Sequence, residues 1–123
     1  MTDWRQTAQR TVAEAKGRRG EWLAAQYLRL KGWSILAQRQ KTPRGEVDLV
    51  ARRGNLVAFV EVKWRAKAQD LDFAIDARRL ARVAAAAEIL AAKFVHEGDD
   101  MQIDVLLLAP GQLPRHIANA WQP

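Results

Sequence analysis

The chain has 123 residues, 49% of them hydrophobic and 28% charged, with a formal net charge of +6, as in a soluble globular protein with a basic surface. The lack of cysteine excludes a disulfide, an iron–sulfur cluster and a thiolate zinc site, and two histidines cannot complete a tetrahedral zinc site. Any metal would be held mainly by oxygen, which favours Mg²⁺ or Mn²⁺. We expect one domain over residues 1–123, cytoplasmic and without a membrane partner, because no signal peptide or membrane-spanning apolar run is recognisable.

The positive charge predicts a polyanionic partner. A sequence pI near 10.3 is typical of proteins that bind nucleic acid, here expected to be DNA, and a solvated charged surface is the alternative. Basic residues are clustered, and several clusters flank acidic residues. The residues expected to bind nucleic acid are Lys41, Arg44, Arg65, Arg78, Arg79 and Arg82.

The first predicted element is a helix from about Asp3 to Lys31, with Gly32 as its C-terminal stop. Residues Trp33 to Ala37 then predict a short strand. A polar and basic connection follows through Pro43, which favours extended geometry in the residue before it and therefore suits a loop that enters a strand.

Two apolar segments interrupted by charged residues predict a β-hairpin. They run from Gly45 to Val50 and from Phe59 to Lys63, and the pair Gly54-Asn55 between them is a strong two-residue turn signal. If this pair forms the turn, cross-strand partners have residue numbers that sum to 109. The register of the hairpin is thereby predicted from the turn alone.

This register brings four charged side chains to one face of the hairpin. Asp48 is expected opposite Glu61, and Glu46 opposite Lys63, because side chains alternate between the faces of a strand. Two carboxylates directly opposite each other repel and destabilise the pair. The repulsion requires a shared proton, a cation from Lys63 or an arginine, or a metal ion.

The remaining sequence predicts a helix, a strand and a short closing segment. The helix runs from Asp70 to about His96, and the apolar run from Met101 to Ala109 indicates a strand covered on both faces. A strand, a helix and another strand favour a parallel crossover. Residues His116 to Trp121 are expected to close the fold by packing Trp121 on its body, and Asp104 is expected to be structural, paired with an arginine.

The hairpin carboxylates have two interpretations. In the metal interpretation, Asp48 and Glu61 bind Mg²⁺ or Mn²⁺ with the carbonyl of Val62, and Lys63 orients or deprotonates a water molecule or stabilises transition-state charge. In the structural interpretation, Glu46 and Lys63 form a cross-strand ion pair and nearby arginines satisfy Asp48 and Glu61. Glu46 has a functional role only in the metal interpretation.

Several motifs together resemble the YraN-like family of small bacterial endonuclease-like proteins, within the PD-(D/E)xK nuclease superfamily. They are Gly17-Arg18-Arg19-Gly20-Glu21, Tyr27-Leu28 followed by Gly32, Gly45-Glu46-Val47-Asp48-Leu49, Phe59-Val60-Glu61-Val62-Lys63 with Arg65, Asp104-Val105 and Arg115-His116-Ile117. The resemblance implies an α/β fold with a central mixed β-sheet flanked by helices, a core similar to restriction endonucleases and Holliday-junction resolvases. It also implies metal-dependent hydrolysis of phosphodiester bonds in DNA, with branched and single-stranded DNA among the candidate substrates, and a homodimer.

The resemblance also bears on Glu21, Arg79 and Arg39. In related nucleases a glutamate of the first helix can complete the metal site, which is one interpretation of Glu21; the other is a surface pair with Lys16 or Arg18. Arg79 stands where the family usually has lysine, and it can bind phosphate but cannot act as a base. Arg39 stands where the family usually has asparagine. The alternative function is a catalytically silent nucleic-acid-binding module that retains the nuclease fold.

Overall fold

The computed structural model describes residues 18–66 and 76–122. These residues form two helices and five strands, which confirms the predicted α/β class. The elements are α1 (residues 18–30), β1 (Ser34–Thr42), β2 (Gly45–Arg53), β3 (Leu56–Trp64), α2 (Ala77–Phe94), β4 (Asp100–Leu108) and β5 (Arg115–Ile117). Neither helix is long and apolar enough to cross a membrane. Residues 3–17 of the first predicted helix and residues 70–75 of the second lie outside the described residues.

The strands form one mixed sheet in the order β1-β2-β3-β4-β5. The pairs β1–β2, β2–β3 and β4–β5 are antiparallel, and β3–β4 is parallel, from Leu56 opposite Asp100 to Trp64 opposite Leu108. Because α2 connects β3 to β4, the predicted parallel crossover is confirmed. The central mixed sheet flanked by helices is confirmed as well.

Each face of the sheet packs against one helix. On one face, the buried residues of α2 pack against side chains of β2, β3 and β4, with Phe59 at the centre of the cluster. On the other face, Ala24, Ala25 and Leu28 of α1 pack against alternate residues of the same strands. The predicted packing of Trp121 is also confirmed, because it contacts the cluster on the α2 face. The central strands are thus covered on both faces, and three of their charged residues, Glu61, Lys63 and Asp104, are buried.

The predicted hairpin register is confirmed over the turn-proximal half of the hairpin. Cross-strand partners from Leu49–Val60 to Arg53–Leu56 have numbers that sum to 109. Gly54, the first residue of the turn, has φ of +63°, a conformation that glycine adopts without steric cost. The two-residue turn therefore sets the register that carries Asp48 and Glu61 toward each other.

Two predicted boundaries were wrong. The first strand extends to Thr42 rather than ending at Ala37, because the polar residues that follow Ala37 form an edge strand, where polar side chains are favoured. The second helix begins at Ala77 rather than at Asp70: the backbone of Asp76 is extended, and its carboxylate accepts a hydrogen bond from the N–H of Arg78 as an N-cap.

Asp104 of β4 is fully buried and holds the C-terminal segment to the sheet. It accepts hydrogen bonds from Gln102 Nε2 at 2.9 Å and from the N–H of Asn119 at 2.8 Å, and it pairs with His116 Nε2 at 2.7 Å. The expected structural role fits these contacts, but the expected arginine partner was wrong. A neutral amide, a backbone amide and an imidazole satisfy the carboxylate instead.

Gly45 permits a close approach between the start of β2 and helix α2. A Cβ atom at this position would lie 2.7 Å from the backbone carbonyl oxygen of Arg82, a separation that real Cβ atoms do not show. Gly20 of α1 is different, because a Cβ atom there would meet its nearest neighbour, Trp64, at 3.8 Å, an ordinary van der Waals distance. Only the first glycine is required by packing.

We therefore predict opposite effects of alanine at these two positions. Gly45→Ala should lower the free energy of unfolding by about 1–3 kcal/mol, since α2 must move away from the sheet to admit the methyl group. Gly20→Ala should leave it unchanged or raise it by about 0.5–1 kcal/mol, because alanine is the better helix former. Urea denaturation of both variants measures the difference. Equal stability of the two variants would contradict the close approach.

Candidate active site at the hairpin carboxylates

A polar pocket of about 200 Å³ opens between α2 and the strands β2 and β3. Carboxylates from the two strands and guanidinium groups from the helix meet in it. The pocket is lined by Gly45, Glu46, Asp48, Glu61, Arg79, Arg82 and Val83. The structure thus brings Asp48, Glu61 and Glu46 together at one pocket, as the hairpin register predicted.

Asp48 is the most perturbed titratable residue of this pocket. Its carboxylate accepts a hydrogen bond of 2.7 Å from the backbone N–H of Val62, across the hairpin. Burial raises its pKa from 3.8 to about 7, with a further increase from the negative charge of Glu61, and the Val62 hydrogen bond opposes part of this change. The repulsion between the two carboxylates that the hairpin register predicted therefore contributes to the raised pKa of Asp48 in the folded protein.

Glu61 lies on β3 and is neutralised by two cations. Its Oε1 atom lies 3.0 Å from Lys63 Nζ and 2.6 Å from Arg79 Nε. The side chains of Glu61 and Lys63 are 4% and 11% exposed, whereas that of Arg79 is 59% exposed. Lys63 thus pairs with an acid two residues away on its own strand, and the predicted Glu46–Lys63 pair was wrong. Glu46 is exposed at the rim of the pocket.

Glu21 points from α1 toward the sheet, where it pairs with Arg39 of β1. The distance from Arg39 Nε to Glu21 Oε2 is 2.6 Å, and the glutamate side chain is 15% exposed. The hydrogen bond from Glu21 raises the pKa of Arg39, and the negative charges of Glu21, Glu46 and Asp48 raise it further. Glu21 therefore belongs to the surroundings of the hairpin acids, and the predicted alternative partner Lys16 lies outside the described residues.

Arg39 was missed as a site residue. On either side of it Gln38 pairs with Leu49 and Gln40 with Val47, so that Arg39 stands opposite Asp48. A signal was available in the sequence: a turn from Thr42 to Gly45 gives partner numbers that sum to 87, as 39 and 48 do. The polar residues around Arg39 obscured it because they are typical of a loop.

The predicted nucleic-acid-binding residues lie in three places: on α2, near the β1–β2 turn and after β3. Arg79 and Arg82 line the pocket, and Arg78 is exposed beside them on the first turn of α2. Lys41 and Arg44 are exposed near the β1–β2 turn, next to the pocket residue Gly45. Arg65 follows β3, is half-buried, and donates a hydrogen bond to the carbonyl oxygen of Trp64. Five of the six predicted cations are therefore exposed to solvent.

The donors of the pocket fit a hard divalent cation in type. Asp48 and Glu61 supply carboxylate oxygens, and the pKa of Asp48 is raised mainly by burial and further by the negative charge of Glu61, which a cation would offset. In residues 18–66 and 76–122, however, no three His, Asp or Glu side chains are close enough together to form a metal site. Asp48 and Glu61 thus supply the two carboxylates of the predicted metal site, and binding of a metal by them or by the carbonyl of Val62 stays a prediction.

The raised pKa of Asp48 predicts a pH-dependent stability. Because its pKa in the folded protein, about 7, lies above the value of 3.8, the folded state retains a proton that the unfolded state loses. The free energy of unfolding should therefore fall as the pH rises from about 4 to about 7, by at most about 1.4 kcal/mol for each pH unit. Asp48→Asn, which can still accept the Val62 hydrogen bond, should remove this decline.

Urea denaturation of wild type and Asp48→Asn at several pH values between 4 and 7 measures this effect, and Asp76→Asn is a matched control because Asp76 is an exposed helix cap. Parallel stability profiles for wild type and Asp48→Asn would contradict the raised pKa.

Comparison with known proteins identifies the family. The model of the Uncharacterised protein family UPF0102 matches residues 20–108. A UPF0102 protein of Erythrobacter litoralis is 68% identical over 114 residues, covering 93% of this chain and 98% of the relative. UPF0102 proteins of Sphingopyxis alaskensis and Rhizorhabdus wittichii are 63% and 53% identical, covering 93% and 91% of this chain and 98% and 95% of those proteins. The chain therefore belongs to the UPF0102 family, which is the YraN-like family that its motifs resemble.

Proposed function

We propose that this protein is a Mg²⁺- or Mn²⁺-dependent nuclease that hydrolyses phosphodiester bonds in DNA. The observation that carries the proposal is the position of the half-buried Asp48 beside the buried Glu61, with the ammonium group of Lys63 3.0 Å from Glu61, in a pocket whose outer wall is basic. Buried carboxylates that repel each other are costly to stability, and an arrangement of this kind is commonly retained for function.

Each residue has a chemical role in the proposed reaction. Asp48 and Glu61 would hold the cation, which when bound polarises a phosphoryl oxygen and activates water. Lys63 keeps a buried positive charge beside Glu61, where it stabilises the charge that develops on the phosphate. Arg79 and Arg82 face the same pocket and hold the phosphate backbone through charge-assisted hydrogen bonds.

A second candidate function is nucleic-acid binding without turnover. It is favoured by the ion pairs of Glu61 with Lys63 and with Arg79, because these two cations neutralise the carboxylate of Glu61 without a metal. In this case the basic surface would bind the phosphate backbone, and the hairpin acids would serve to position Lys63 and Arg79. The two candidates share a ligand and differ in whether Asp48 and Lys63 are needed for chemistry.

The nuclease proposal predicts loss of cleavage on substitution of Lys63. Lys63→Met preserves length and apolar stem but removes the charge, and it should lower the cleavage rate by about 10²–10³-fold, as expected for loss of one electrostatic donor to the transition state. The assay uses duplex, single-stranded, flap and four-way-junction DNA with Mg²⁺ or Mn²⁺, and with EDTA as the metal-free control.

Lys93→Met is the matched control, because Lys93 lies in the last turn of α2 and stacks on Phe94, outside the pocket. It should cleave at the wild-type rate. No cleavage of any substrate by wild type, or equal cleavage by wild type and Lys63→Met, would overturn the nuclease proposal.

Both candidate functions predict salt-dependent binding through α2. Replacement of Arg78 and Arg82 by glutamine should weaken binding of a fluorescent oligonucleotide and reduce the slope of log affinity against log salt by about 0.7–0.9 for each phosphate that is no longer neutralised. Asp48→Asn should leave affinity unchanged or raise it, because it removes a negative charge. Fluorescence anisotropy over a salt series measures both effects, and salt-independent binding would contradict both candidates.

A further inference from the structure

Arg39 is a basic residue beside the hairpin acids that has no role in the proposed function. It lies on the edge strand β1 opposite Asp48, with φ of +51°, a conformation that is unfavourable for a side chain other than glycine, asparagine or aspartate. Such strain persists only where the surrounding structure maintains it, and it is concentrated at functional sites. Arg39 combines this strained backbone with an ion pair to Glu21.

The contacts of Arg39 connect α1 with the hairpin. Its Nε atom lies 2.6 Å from Glu21 Oε2, and the charges of Glu46 and Asp48 also favour its protonated form. Its side chain is 39% exposed, so that the guanidinium group can leave the cluster without crossing a packed core. Arg39 thus balances the acids that Lys63 and Arg79 do not contact.

We infer that Arg39 is an internal counterion that a divalent cation must displace, so that this residue sets the metal affinity of the site. The inference rests on the proposed function, because it assumes that Asp48 and Glu61 bind a divalent cation. The guanidinium group of Arg39, on the residue opposite Asp48, repels an incoming cation, and it occupies Glu21, whose carboxylate would otherwise be free to join Asp48 and Glu61 as a ligand. Once released from Arg39, the Glu21 side chain would have to turn toward Asp48 and Glu61 to supply a third oxygen ligand, because no three acids form a metal-binding group among the described residues.

The inference predicts the direction in which Arg39→Asn changes the affinity for Mn²⁺. Arg39→Asn removes the charge while asparagine tolerates a positive φ, so that the fold is retained. If Arg39 competes with the metal, the dissociation constant for Mn²⁺ should fall by about tenfold, within the range for outer-shell residues of metal sites. If Arg39 instead holds Glu21 in place as an existing ligand, the same substitution should raise the dissociation constant.

Isothermal titration calorimetry with Mn²⁺ alone measures the affinity without a substrate. Arg39→Lys retains the charge and should bind Mn²⁺ close to the wild-type affinity. Arg53→Asn is the matched charge control, because Arg53 lies at the opposite end of β2, stacked on Trp33, and it should also bind as wild type. Thermal melts of all variants establish that each is folded.

The outcomes separate this inference from the proposed function. If wild type binds Mn²⁺ and Asp48→Asn does not, the metal site stands, and unchanged or weaker binding by Arg39→Asn would overturn the role of Arg39 alone. If neither wild type nor Arg39→Asn binds Mn²⁺, the proposed metal site and the inference both fail. Tighter binding by Arg39→Asn but not by Arg53→Asn supports the displacement of Arg39.

Discussion

Partial burial of Asp48 beside the buried Glu61 is the constraint on which the arrangement of the site depends. The two acids receive different compensation: the backbone N–H of Val62 donates to Asp48, whereas Lys63 and Arg79 neutralise Glu61. Asp48 consequently retains a raised pKa and Glu61 remains in ion pairs. Asp48 is therefore the acid of the pocket whose negative charge is least compensated, and a proton or an added cation would be stabilised there.

The fold holds the two acids in this environment by packing a helix on each face of the hairpin. The absence of a side chain at Gly45 allows α2 to approach the start of β2 and brings Arg79 and Arg82 to the carboxylates. On the other face, α1 brings Glu21 to Arg39. The family relationship identifies homologous chains and does not by itself assign chemistry, so the proposed nuclease activity depends on this geometry and on the basic surface around it.

Much of the hairpin could be predicted from the sequence because its determinants are local. A glycine-containing turn fixes the register, and alternation along the strands then places the acids of β2 and β3 on one face. The extent of β1 could not be predicted, because an edge strand lacks the apolar pattern of a buried one. Arg39–Glu21 and Asp104–His116 were missed because each joins residues that only the tertiary fold brings together.

The most direct test of the proposed metal site is a crystal structure of the protein grown with Mn²⁺, with the ion located by its anomalous scattering. We predict one manganese peak between the carboxylates of Asp48 and Glu61, at metal–oxygen distances near those of a hard divalent cation, about 2.0–2.2 Å. A structure in which these carboxylates contact only Val62, Lys63 and Arg79 at saturating Mn²⁺, or in which manganese binds elsewhere, would contradict the proposed site.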